Sequence, residues 1–145
     1  MDIKYNINKT YDHDYYVLRI IIEGSLLLLF IGVFIFFMLY EKRFDIVAFI
    51  LDLIFLGATA YHSYELINMQ RIKNKLIWIT TTDYQMHKVP LQRYKQNFIY
   101  ISLLYDGRRY ESYQHLRTIW FVEKENKEIK VGLYNKRAYV MHDFK

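Results

Sequence analysis

Two apolar stretches, residues 17–40 and 44–67, lie three residues apart and take up about a third of the chain. At ~1.5 Å rise per residue, 24 residues of helix reach roughly 36 Å, enough to cross a ~30 Å hydrocarbon core with some tilt. A secretory signal would end after about 7–15 apolar residues at a small-residue cleavage site. Here the first stretch runs on through Phe34, Phe36, Phe37 and Met38 and turns back at Glu41, Lys42 and Arg43, so it is expected to stay in the mature protein. A soluble chain of 145 residues offers too little other helix to bury two such uniformly apolar rods. The expected organisation is a cytoplasmic segment (1–16), a first transmembrane helix (17–40), an external turn (41–43) and a second transmembrane helix (44–67). A helix extension or linker (68–75) and a β-rich cytoplasmic domain (76–145) follow.

Basic residues set the expected orientation. Lys4, Lys9 and Arg19 precede or open the first stretch, and Arg71, Lys73 and Lys75 crowd the exit of the second. Lys42 and Arg43 in the turn stand beside Glu41 and Asp45. The positive-inside rule then puts both termini in the cytoplasm of a multi-pass protein, here read as one of the bacterial inner membrane. The absence of cysteine agrees with a reducing compartment. The net charge of +5 hides a split: residues 1–67 carry five Lys/Arg against eight Asp/Glu, and residues 68–145 carry fifteen against seven. A basic domain held at a cytoplasmic leaflet is drawn to anionic lipid, at ~1 kcal/mol per basic residue near the surface. The same charge suits a phosphate-bearing ligand.

The soluble half reads as strands, because β-branched and aromatic residues dominate it and no helical period persists. Candidate strands are 76–82, 97–105, 108–114, 118–123, 128–134 and 137–142. Asp106-Gly107 is the strongest hairpin signal, since a type I′ turn needs positive φ at both central residues. Lys124 to Lys127 and Asn135-Lys136 are further turns, and residues 83–96, with Pro90, read as a long loop or irregular edge. Ile129, Val131 and Leu133 alternate with polar or small neighbours, which places three aliphatics on one face. Membrane α plus β is the resulting fold class: a two-helix transmembrane hairpin followed by a small antiparallel β-sheet or β-barrel.

Ionisable residues inside the apolar stretches carry more information than the loops. Folding the hairpin about Lys42 and Arg43 pairs positions whose numbers total about 85, which sets Glu23 level with His62 and Arg19 level with Glu65 or Leu66. Asp52 lies at mid-span opposite Gly32 and Val33, with no cation beside it. Because an intramembrane carboxylate costs ~2.5–3.5 kcal/mol at a helix centre, such a residue is a functional-site candidate by default. With Ala48, Thr59 and Ser63 it forms a seam of small or polar side chains suited to helix contact. Asp52 can hold subunits together or line a gate, and the chain is expected to be oligomer-prone.

Catalytic signatures are missing: there is no cysteine, no glycine-rich phosphate loop and no His-Glu-x-x-His or Gly-x-Ser-x-Gly motif. His87, His115 and His142 are scattered, so no enzyme activity, metal or cofactor is expected. Binding signals are better. Arg108, Arg109, Tyr110 and Tyr113 follow the Asp-Gly turn, Arg93 precedes it, and Trp120 and Arg137 fall nearby in the expected sheet. Basic side chains pair with phosphates while aromatic faces stack a base. Tyrosines covering a thin core would produce much the same pattern. No DNA or RNA partner is expected.

Two N-terminal spans, a short external turn and a small cytoplasmic β-domain resemble, in layout, the two-transmembrane, β-strand-rich effectors of bacterial anti-phage signalling systems such as CBASS. That resemblance implies a β-domain sensing a cyclic nucleotide and spans that damage the inner membrane, and it carries over no residue. The segments YISLLYDGRRYES and KEIKVGLYNKRAYVMHDF are similar in style to small bacterial membrane-associated domains of the pleckstrin-homology-like kind, some of which serve in bacteriocin immunity. The expectation is therefore a ligand-gated, oligomerising membrane effector. The alternative is a non-gated accessory or immunity-type protein whose β-domain binds a partner or anionic lipid.

Overall fold

The computed structural model describes residues 5–90, 97–112, 116–117 and 128–142. They fall into two compact units, one of residues 16–68 and one that joins the residues up to Tyr15 with those from Met69 onward.

The first unit is a helical hairpin. Helix α1, Tyr11–Phe36, ends in a widened π-helical turn, Phe37–Glu41, and α2 runs Ile46–Ile72. Both helices are long and apolar enough to span a membrane, and only 6% of the most apolar window of each is buried. Within this chain neither helix is packed as an interior element. Lys42 closes the first helix in the left-handed region (φ 50°), its N–H reaching the Phe37 carbonyl. Asp45 opens the second by accepting the N–H groups of Val47 and Ala48 at 3.0 and 3.1 Å, the usual service of an N-cap carboxylate. The turn is accordingly 42–45 rather than 41–43.

From α1 into the π turn the covered positions include Ile20, Glu23, Leu27, Phe30, Phe34 and Phe37, and along α2 they include Ala48, Asp52, Phe55, Thr59, His62 and Leu66. Steps of three and four alternate on both helices, the heptad spacing of a two-helix seam. Phe30 stacks on Phe55 at 5.6 Å and 7°, and Phe34 meets Phe49 at 6.0 Å. The Phe30–Phe55 pair has numbers totalling 85, as the fold-back rule requires.

The second unit is a curled mixed sheet, a half-barrel. Its strands are β1 Ile77–Thr81, β2 Gln85–Pro90, β3 Asn97–Tyr105, β4 Arg108–Glu111, β5 Leu116–Arg117, β6 Ile129–Tyr134 and β7 Arg137–Val140. Their order is β1-β6-β7-β4-β3-β2, with β5 pairing β3 off this path. Two type I′ turns build it as expected: Asp106 and Gly107 have φ of 49° and 69°, Asn135 and Lys136 of 45° and 62°. Ile101, Leu103, Tyr110, Ile129, Val131, Leu133, Ala138 and Val140 form the core, and each fully buried aliphatic contributes ~1.5–3 kcal/mol.

Three expectations need correction. The sheet is not purely antiparallel, because β4 and β7 run parallel at Glu111↔Arg137, tied by the Glu111 N–H to the Lys136 carbonyl at 2.9 Å. Alternation dictates which face a strand buries but not which neighbour it takes. Of residues 83–96, expected as a long loop or irregular edge, 85–90 form the regular edge strand β2, paired antiparallel with β3 from Gln85↔Ser102 to Pro90↔Asn97. Its polar composition hid it, while Pro90 sits at the end of an edge strand, where a missing N–H is tolerated. The expected strand 118–123 and turn 124–127 lie outside the described residues.

The third correction concerns the N-terminal segment, which is part of the β-unit. Thr10 bridges Met141 in antiparallel fashion, and His142 donates its N–H to the Lys9 carbonyl at 3.0 Å. Tyr5 stacks on Trp78 at 5.4 Å and shares a 3.0 Å hydrogen bond with the Thr80 hydroxyl. Trp78 in turn lies over Gly132, whose missing Cβ would sit 3.0 Å from the indole. Helix α1 starts six residues earlier than the apolar pattern implies, because Thr10 caps it: its hydroxyl accepts the His13 N–H at 3.3 Å and donates to the Ile7 carbonyl at 2.7 Å.

Candidate functional site

In the β-unit, the polar feature with the most burial is the root of α1. Asp12 is 1% exposed and accepts a 2.9 Å hydrogen bond from Arg137 Nη2. The guanidinium also lies 4.6 Å from the Tyr139 ring centre. Asp12 and Asp14 both stand in the first helical turn, where the macrodipole favours negative charge. Asp14 Oδ2 is 2.8 Å from His142 Nε2, and the His142 ring meets Tyr11 edge-on at 5.5 Å. Strand β7 is thereby covered on both faces: Ala138 and Val140 point into the core, while Arg137 and Tyr139 lie on the other face, where Arg137 meets Asp12. Nothing in the spacing of Asp12 and Arg137, 125 positions apart, announces this pair.

The Arg/Tyr surface expected from sequence is dispersed. Tyr110 is 8% exposed and belongs to the core. Arg137 is engaged by Asp12. Arg108 and Arg109 are exposed after the Asp-Gly turn, with Arg109 Nη2 2.8 Å from Glu111 Oε1. Arg93, Tyr113 and Trp120 lie outside the described residues. No family model, curated protein or solved structure matches the chain.

Within the helical hairpin, Glu23 and His62 meet as the fold-back predicts, with Nδ1 2.7 Å from Oε2 and both side chains largely covered. The contact is an ion pair when His62 is protonated and a hydrogen bond when it is neutral. Arg19 approaches the other Glu23 oxygen at 3.7 Å from one turn away. Asp52 and Thr59 lie on the α2 seam turned toward α1. Among the described residues neither Asp52 Oδ1 nor Thr59 Oγ1 has a hydrogen-bond partner, although both atoms are covered. Covered polar atoms without partners are uncommon, since each costs roughly 1–3 kcal/mol.

Proposed function

We propose that this chain is a membrane-inserted, non-enzymatic effector in which the β-unit receives a signal and the helical hairpin delivers it. The observation that carries this reading is helix α1, which is rooted in the β-unit through Thr10, Asp12 and Asp14 and runs unbroken to Phe36 through the apolar stretch. A change in the β-unit that disturbs the Asp12–Arg137 pair acts on the same helix that carries Glu23 and faces Asp52. In this reading the helices sit in a bacterial inner membrane with both termini cytoplasmic. The input is an anionic ligand of the cyclic-nucleotide class, and the output is assembly of several copies and disruption of the bilayer in anti-phage defence.

Exposed Arg108 and Arg109 would meet the phosphates. The test is titration of the full chain in lipid nanodiscs with a panel of cyclic nucleotides, followed by dye release from liposomes with any that bind. Saturable binding weakened by Arg108→Ala, with ligand-dependent release, supports the reading; absence of binding to a folded protein removes it. A second reading, a non-gated protein whose β-domain holds a partner or anionic lipid, gains from the burial of Tyr110 and the engagement of Arg137. These take two residues away from a base-stacking pocket and leave the hairpin tip exposed.

A further inference from the structure

The β3–β4 hairpin outruns its sheet. Strand β2 pairs β3 no further than Ser102, and β7 pairs β4 only at Glu111. From Leu103↔Tyr110 outward, through Leu104↔Arg109 and Tyr105↔Arg108, the two strands pair only with each other among the described residues. Three residue pairs at ~3.3 Å each make a two-stranded tongue roughly 10 Å long. Its base is anchored, since Leu103 and Tyr110 are buried in the core, but its end is not. Leu104 is 71% exposed, more than any other large apolar side chain described in the β-unit, and Tyr105 is 38% exposed.

Alternation puts Leu104 beside Arg109 on one face of the tongue and Tyr105 beside Arg108 on the other. Arg108 has no ion-pair partner among the described residues. Arg109 is held by Glu111 in a surface pair exposed on both sides, an interaction worth ~0–1 kcal/mol that readily yields to a phosphate. Asp106, the remaining charge at the tip, is confined to the turn.

We propose that this tongue is an interfacial anchor that beds into anionic lipid headgroups, with Leu104 and Tyr105 at the acyl boundary and the two arginines on headgroup phosphates. A free phosphate ligand would engage the arginines and leave Leu104 in water. A bilayer interface covers both kinds of surface at once, which is why lipid is the partner the chemistry selects. Tethering of the β-unit to the helical hairpin raises the effective concentration of lipid at the tip, so a small anchor suffices. The inference rests on the reading of the helices as membrane-inserted and deepens the second reading above, in which the β-domain holds anionic lipid; it therefore assigns Arg108 and Arg109 to lipid rather than to a free cyclic nucleotide.

Because the chain has no cysteine, single-site probes need no background substitutions. The full-length protein carrying Leu104→Cys, labelled with an environment-sensitive dye, is placed in nanodiscs with or without phosphatidylglycerol, and quenching by headgroup spin-labelled lipid is read. A Leu29→Cys probe, mid-helix and 59% exposed, is read instead with lipid spin-labelled deep in the acyl chain and reports insertion independently of lipid charge. The expected result is quenching at position 104 only with phosphatidylglycerol, with the inserted population falling about five-fold per arginine in Arg108→Ala and Arg109→Ala. Quenching at 29 with none at 104, or equal quenching at 104 in neutral and anionic discs, overturns the anchor alone. Loss of the signal at 104 on adding millimolar inorganic phosphate at constant ionic strength assigns the arginines to a free anion and also overturns it. No quenching at 29 overturns the membrane reading and the anchor with it.

Discussion

Asp12 and Arg137 are a buried pair whose partners come from opposite ends of the chain. Removing one partner from such a pair strands the other charge, at a cost of ~3–5 kcal/mol. Asp12→Ala is therefore expected to lower the unfolding midpoint of the β-unit sharply, read by near-ultraviolet circular dichroism, whereas Asp14→Ala at a half-exposed site should cost far less. Equal effects would show that the root of α1 is not held by Asp12. Tyr84 gives a pH signature. Burial raises its hydroxyl pKa above the ordinary 10.0, so folding favours the neutral form. Its contribution is complete below pH 10 and is lost as pH rises through the folded value, because the unfolded chain gives up the proton first. Tyr84→Phe should flatten that alkaline limb and leave neutral-pH stability unchanged or improved, as its covered hydroxyl has no partner among the described residues. At this scale the Glu23–His62 contact was legible because counting about a turn fixes levels on two antiparallel helices. The Asp12–Arg137 contact was not, because no local period links a helix root to a distant strand.

Elements show the same division. Strand β3 has the limits its sequence indicates, 97–105, since an apolar and aromatic run ends at an Asp-Gly turn with both φ values positive. Strand β2 was less legible because polar Gln85 and His87 flank its packed apolar residue, Met86. His87 Nε2 lies 2.7 Å from the Ser102 hydroxyl, and its ring stacks on Tyr100 at 4.6 Å, so polar pairing adds to the packing of Met86 against the core. Gly132 marks another element-level constraint. A Gly132→Val side chain would press on the Trp78 indole and unseat it from Tyr5, costing ~1–3 kcal/mol by overpacking. A shift in Trp fluorescence with a lower unfolding midpoint is the expected observation, and an unchanged spectrum would contradict the packing. The helical register has its own test: cysteines at Phe30 and Phe55 should cross-link with a short bifunctional reagent, while cysteines at Phe30 and Phe44 should not.

For the whole molecule, the apolar hairpin at the front of the sequence remains the governing feature, but its first helix belongs to both units. Sequence separates anchor from domain at the point where hydropathy changes. The structure instead carries residues 5–15 into the β-unit, through backbone pairing and a buried charge that hydropathy does not register. The seven candidate ligand residues form one expected patch because they are basic or aromatic and near in sequence or expected strand order. Among the described members, Tyr110 packs in the core and Arg137 meets Asp12, which leaves Arg108 and Arg109 accessible. The central proposal is that the helices cross a bilayer and hold the β-unit on the cytoplasmic side. Single Arg43→Cys and Leu104→Cys variants, treated in intact cells with a membrane-impermeant maleimide, test it directly. The account predicts labelling at position 43 in intact cells and at position 104 only after lysis. Labelling at 104 in intact cells, or recovery of the chain in the soluble fraction, would contradict it.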